Sequence, residues 1–310
     1  MEQKAYIAGV GMTPFGNAID QSLSQLASTA INEALKDAGI GAKDLGAAYM
    51  GNAAAGVITG QVCVPGQVVL RNMGIGRIPV INVENACATS ATAFQQAATM
   101  VTLGVYDVVL VCGYEKLYHK DKEKTFSVFT GAIDVDQIDA IKAGLKTRNE
   151  AIGAELDMSQ AGITRSIFID IYATWAREHM HRYGTSPEQL AAVSAKNSFH
   201  GSLNPLSQFR DRVSIEQVLA AREIVSPLTL PMCAPIGDGG KRGIGRFPQG
   251  QDITHLHRRD RFRRQGKALF LQQAHQNGSV LKAVDLPGFA VIGHGVQEGQ
   301  ERMARARFRA

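Results

Sequence analysis

Apolar and polar positions along the first 112 residues fall into short blocks whose periods predict strands alternating with helices. Residues 5–10 carry Ile7-Ala8-Gly9-Val10 in a strand-like pattern, and residues 22–38 place Leu23, Leu26, Ala27, Ala30, Ile31 and Leu35 at helical spacing. Gly39 supplies the stop. Residues 47–51 read as a short buried strand, 61–73 as a helix, 79–83 as a strand, and 90–103 as a helix of mostly small residues. Asp-Val-Val-Leu-Val-Cys over 107–112 is the plainest strand in the chain. Alternating elements with near-continuous apolar strand cores imply an α/β fold, its sheet mixed but mostly parallel and covered by helices.

From Gly113 the rhythm breaks into a polar, lysine-rich stretch and then long helical segments near 165–183 and 187–199, which read as an insertion. Phe168, Ile171, Tyr172, Trp175 and His179 share one helical face, and the expectation for that face is core packing rather than ligand contact. Residues 226–236, with Pro227, Pro231 and Pro235, return as extended chain. After Gly239 the periodicity fades, and an irregular C-terminal tail is expected.

Charge divides at the same point. Residues 1–240 carry 19 Lys and Arg against 23 Asp and Glu, whereas residues 241–310 carry 14 against 5. The Arg258–Arg264 cluster could suggest nucleic-acid binding, but no aromatic-interleaved groove accompanies it, so no nucleic-acid partner is expected. No apolar run approaches a membrane span, and the first ten residues lack the pattern of a signal peptide, so a cytoplasmic location is the expectation. The four cysteines, Cys63, Cys87, Cys112 and Cys233, form no CxxC pair, which argues against a zinc site or a disulfide framework.

Cys87 carries the chemistry. It sits between the predicted strand 79–83 and the predicted helix 90–103, in Asn85-Ala86-Cys87-Ala88-Thr89-Ser90. Unpaired backbone N–H groups and the macrodipole at a helix N-terminus favour a thiolate, and small neighbours let a thioester approach the backbone. Cys63, Cys112 and Cys233 are expected to be buried structural cysteines.

This hexapeptide resembles the nucleophile motif of the thiolase superfamily, in particular the branch of sterol carrier protein X and lipid-transfer-type thiolases. Three further stretches are similar to that branch in the right order: Ile7 through Gly16, the strand at 107–113, and Pro231-Met232-Cys233-Ala234-Pro235-Ile236-Gly237-Asp238-Gly239. The resemblance implies a thiolase-like N-terminal domain over 1–239, with 115–219 as the insertion that helps bind coenzyme A. It also implies an acyl-CoA C-acyltransferase of lipid metabolism. Cys87 would hold the acyl group as a thioester in thiolysis or Claisen condensation of β-ketoacyl-CoA. Coenzyme A would be a substrate, no cofactor or metal would be bound, and a homodimer could form through the thiolase-like half.

The family's second half would supply an activating histidine and a second acid/base cysteine. His294, in Gly-His-Gly, lacks that motif's proline, and no cysteine follows Cys233. Where the branch carries a small-residue strand after Gly239, this chain reads Gly240-Lys241-Arg242-Gly243-Ile244-Gly245-Arg246-Phe247. Permitted codons read one base later give Ala-Ala-Ser-Ala-Ala-Ser-Val. Residues 240–310 are therefore expected to be a frameshifted, non-homologous basic tail, disordered or misfolded, on a truncated and inactive chain. The alternatives are a non-catalytic half-domain that binds coenzyme A or a partner, and a retro-aldol lyase-type relative.

Overall fold

The computed structural model describes residues 5–240, together with the backbone of three short strands at 269–270, 283–286 and 289–292. Those strands apart, the expectations for the tail, for His294 and for the Arg258–Arg264 cluster fall outside the described residues.

Helix α1 (Leu23–Ala38) starts where Ser22 and Gln25 form a reciprocal capping box and ends where Gly39 adopts a left-handed conformation, φ 66°. Strand β1 (Ala47–Gly51) follows, then the short α2 (Ala55–Thr59) and α3 (Pro65–Asn72), β2 (Val80–Val83), α4 (Thr89–Thr102) and β3 (Val109–Glu115). The predicted helix at 61–73 is shorter at its start because Pro65 occupies the first turn, where the missing N–H costs nothing. Strand β3 runs on to Glu115, three residues beyond the apolar run.

β1 lies between β2 and β3 and is parallel to both, with Tyr49 opposite Ile81 on one side and Val111 on the other. The period of two then sorts the side chains between layers. Ala48, Met50, Leu110, Cys112 and Tyr114 pack with α1 and α3, while Ala47, Tyr49, Val109 and Val111 pack with Ala93, Ala97, Ala98 and Val101 of α4. Burial on both faces is why these strands are almost wholly apolar.

The chain after β3 is helical: α5 (Lys122–Thr130), α6 (Ile138–Glu150), α7 (Ile167–Tyr183), α8 (Pro187–Ser202) and α9 (Ile215–Ala220). A two-stranded hairpin follows, β4 (Glu223–Val225) with β5 (Leu228–Thr229). Strand β6 (Gly239–Gly240) then returns to the sheet antiparallel to the end of β3. Strand β7 (Leu269–Phe270) pairs parallel with Leu110 and Val111, and β8 (Ala283–Leu286) and β9 (Phe289–Ile292) form a separate antiparallel hairpin.

Residues 5–10 depart from the strand expectation: they are extended chain with one isolated bridge at Ile7. The segment is held by close approach to α1 instead. A Cβ on Gly11 would lie 2.2 Å from the Ala30 carbonyl oxygen, and the Val10 and Met12 N–H groups donate to the carboxylates of Asp37 and Glu33. Gly11→Ala is expected to cost about 2–3 kcal/mol in urea unfolding, because backbone must shift to admit the methyl group. Gly76→Ala, which meets nothing within 4 Å, is expected to be neutral in the same measurement.

Candidate active site

Parallel pairing brings the carboxyl ends of β1, β2 and β3 to one edge, the position at which open α/β sheets place their sites. Cys87 lies on the turn leaving β2 at that edge. Ala86, Cys87 and Ala88 form one 3₁₀ turn that runs directly into α4, so the thiol precedes the helix by two residues. Ala86 is left-handed, φ 44°, a conformation that costs an alanine on the order of 1 kcal/mol.

Short polar contacts hold that turn. Thr89 Oγ1 accepts from the Asn85 N–H at 2.8 Å and donates to the Ala86 carbonyl at 2.7 Å. Asn85 Nδ2 donates to Thr92 Oγ1 at 2.9 Å, and the Ala86 N–H donates to Glu84 Oε1 at 2.5 Å. Cys87 itself is exposed, flanked by two alanines. The expectation for the other cysteines holds in part. Cys112 is buried in β3, and burial pushes its thiol well above the usual range. Cys233 is partly buried and pushed up to about 11 by desolvation, with Arg222 opposing. Cys63 is exposed, which corrects the structural assignment: it lies in the exposed link between α2 and α3, clear of the sheet.

Two carboxylates at this edge were not singled out in the sequence. Glu115, 2% exposed, ends β3 and gathers the turn after β1. Its Oε2 accepts from the Ala53 and Ala54 N–H groups, both at 3.1 Å, and its Oε1 from Asn52 Nδ2 at 3.1 Å and the Lys116 N–H at 3.2 Å. Burial pushes its pKa up to about 7, and the four N–H donors hold it from going further. Asp238, fully buried, accepts from the Leu117 and Tyr118 N–H groups at 2.8 Å each and from the Ala18 N–H at 3.2 Å. Lys116 Nζ, 4.0 Å from Asp238, donates to the carbonyls of Ala18 and Gln21 at 2.5 and 2.7 Å. The segment before β6 is thereby fastened to the end of β3. The signal for both residues was a lone acid at the margin of an apolar or small-residue run.

The core-packing expectation for the apolar face of α7 holds in part: Ile171 is buried and Phe168, half-buried, packs edge-on against Phe129. Tyr172 is 47% and Trp175 50% exposed, and His179 is also exposed. The packed side of α7 carries Ile167, Asp170, Ala173 and Thr174, and Thr174 and Arg177 meet Asn149 of α6. Burial raises the Tyr172 phenol above its ordinary value, with a smaller electrostatic contribution from Cys87. Among the described residues, no group of three or more His, Cys, Asp or Glu could hold a metal ion, and no helix is long and apolar enough to cross a membrane.

A family model described as the thiolase N-terminal domain matches residues 5–225. The acetyl-CoA acetyltransferase of Methanothermobacter thermautotrophicus is 34% identical over 233 residues, which cover 75% of this chain and 54% of that protein. Sterol carrier protein 2 of Gallus gallus is 32% identical over 246 residues, covering 79% of this chain and 41% of the relative. A solved structure, an Ltp2-ChsH2(DUF35) aldolase, superposes with a TM-score of 0.54 at 25% identity over 77% of this chain and 54% of that one. The chain thus spans about half the length of the proteins it matches.

Two outcomes are expected from this geometry. Brief iodoacetamide treatment followed by peptide mapping labels Cys87 first, Cys63 more slowly, Cys233 slower still, and Cys112 only after unfolding. Equal labelling of Cys87 and Cys63 would remove any special reactivity from the turn. The raised Glu115 pKa means that the folded state holds a proton the unfolded chain has released. Its contribution is therefore full below about pH 4.5 and is lost as pH rises through about 7. A rise of that size is worth about 3 kcal/mol, and Glu115→Gln is expected to flatten the fall in unfolding free energy between pH 4.5 and 7.5 by about that amount.

Proposed function

Because this chain belongs to the thiolase family through its N-terminal domain, we propose that it is the acyl-accepting half of an acyltransferase for coenzyme A thioesters, with Cys87 as the nucleophile, and that this chain does not turn over by itself, because the activating histidine and second cysteine that the resemblance implies have no match in its sequence. The observation that carries this reading is the placement of an exposed thiol on a strained, side-chain-poor turn at the carboxyl edge of the parallel strands. That turn also lies within the residues matched to the family.

In this reading the Cys87 sulfur, its proton given up to a base, attacks the β-keto carbonyl carbon of a β-ketoacyl-CoA. The bond between the α and β carbons then breaks, and its electron pair leaves on acetyl-CoA, which takes up a proton. The acyl group stays on sulfur as a thioester until the thiol of coenzyme A accepts it. Claisen condensation is the reverse sequence. Ala86 and Ala88 flank the sulfur with small side chains, and the Thr89 contacts brace the backbone just before it, so attack needs little reorganisation of the turn.

The similarity to an aldolase structure favours a second reading, carbon–carbon cleavage by a retro-aldol route. The two differ in what happens at sulfur, because a retro-aldol route leaves Cys87 unmodified. Incubation with acetoacetyl-CoA, acid quench and peptide mass spectrometry is therefore the test. The expected outcome is a single acetyl group on the Cys87 peptide, removed by added coenzyme A and absent from Cys87→Ala. An unmodified Cys87 peptide under conditions where iodoacetamide labels it would overturn the acyl-transfer reading.

A further inference from the structure

Thr89 joins the Cys87 turn to the sheet. Its hydroxyl accepts from the Asn85 N–H at 2.8 Å and donates to the Ala86 carbonyl at 2.7 Å, one contact on each of the two residues before the thiol. Its methyl group lies against Gly51: a Cβ there would come 3.0 Å from Thr89 Cγ2 and 3.7 Å from Ser90 Cα. Thr89 is buried, and a β-branched side chain is stiff at χ1, so a shift of Gly51 is passed on to the hydroxyl. The end of β1 is therefore the floor on which the turn rests.

Glu115 fixes that floor. Gly51 lies between Val83 and Gly113 in the ladder, and the next residue, Asn52, leaves it. The Asn52 N–H donates to the Val83 carbonyl at 3.2 Å, while its Nδ2 donates to the Tyr114 carbonyl at 2.7 Å and to Glu115 Oε1 at 3.1 Å. Glu115 Oε2 takes the Ala53 and Ala54 N–H groups, and Oε1 takes the Lys116 N–H. Four donors thus converge on one buried side chain, a demand that an ionised carboxylate meets and a glutamine does not. No side chain caps α2 from its own turn, where Ala54 stands, so the donors of that turn are answered from across the sheet.

The contacts run without a gap from the carboxylate to the sulfur. Glu115 holds Asn52, Asn52 continues from Gly51, Gly51 seats Thr89, Thr89 grips Asn85 and Ala86, and Ala86 precedes Cys87 in the chain. Support of this kind, from packed side chains behind a reacting group, is what keeps such a group in one geometry.

Resting on the reading of Cys87 as the acyl acceptor, we propose that Glu115 is a positioning residue for that sulfur: through Asn52 and the Gly51–Thr89 contact it fixes the turn that carries the thiol.

The four cysteines supply the test within one molecule, because Cys63 is exposed and reports the reagent, Cys112 is buried and reports unfolding, and Cys87 reports the turn. The full chain and its Glu115→Gln variant are pulsed with iodoacetamide at one fixed pH, quenched and mapped. Glutamine keeps the shape of the side chain but turns one accepting oxygen into a donor. Cys87 labelling is expected to slow about fivefold relative to Cys63, with Cys112 still protected. Asn52→Ala, which cuts the same path and leaves the buried acid in place, is expected to slow Cys87 about twofold. Thr89→Val removes the hydroxyl grip, and adding Glu115→Gln to it is expected to slow Cys87 no further, because both changes act through one contact. Slowing that multiplies in the double variant would make Glu115 a residue of general stability and overturn the proposal. Cys112 labelling in step with the change at Cys87 would do the same, as would a Cys87 rate indifferent to both Glu115→Gln and Asn52→Ala. Equal labelling of Cys87 and Cys63 in the unaltered chain is the separate failure of the nucleophile reading, and the positioning role falls with it.

Discussion

Parallel pairing of β1 with both of its neighbours is the constraint on which the rest of the structure depends. Parallel strands need a crossover between each pair, so helices cover both faces, and the strands are apolar apart from Asn82 in β2 and the terminal Glu115 of β3. The same pairing sends three strand ends to a single edge, where backbone groups leave the ladder and need other partners. Glu115 and the Asn52–Ala54 turn meet because the ladder ends there, although sequence separates them by up to 63 residues.

The edge is held by two buried carboxyl groups. Glu115 answers four N–H groups, and Asp238 answers three, each bridging segments distant in sequence. An amide or an alkyl group in either place would leave buried donors without acceptors, and orphaned donors cost more than the bonds themselves are worth. Asp238 also faces Lys116, whose ammonium is spent mostly on backbone carbonyls, so the pair works as a staple between loops more than as an isolated ion pair.

Local features of this arrangement were legible in the sequence because their causes are local. The apolar run ending at Cys112, the small-residue helix after Cys87 and the glycine that stops α1 each declare themselves within a few residues. Glu115 did not, because an acid opening a lysine-rich stretch reads as solvated until Asn52, Ala53 and Ala54 are placed over it. The α7 stripe was visible as a stripe, yet periodicity cannot tell which face of a helix is covered. The choice fell to Asn149 of α6 and Thr174 of α7, polar residues that are both fully buried because the two helices lie alongside and pair them. Residues 5–10 have the alternation of a strand but are seated by glycine contacts to α1, which no hydropathy pattern records.

The left-handed Ala86 bears on how the thiol is aimed. Alanine prefers the negative-φ half of conformational space, so the turn holds this residue against its own preference, and a glycine there would relieve that cost. The two Thr89 contacts grip the backbone at this point, through the Asn85 N–H and the Ala86 carbonyl, and supply the counterweight. The bend that carries the sulfur is thus kept by the polar side chain that follows it, against the local preference of the alanine that precedes it.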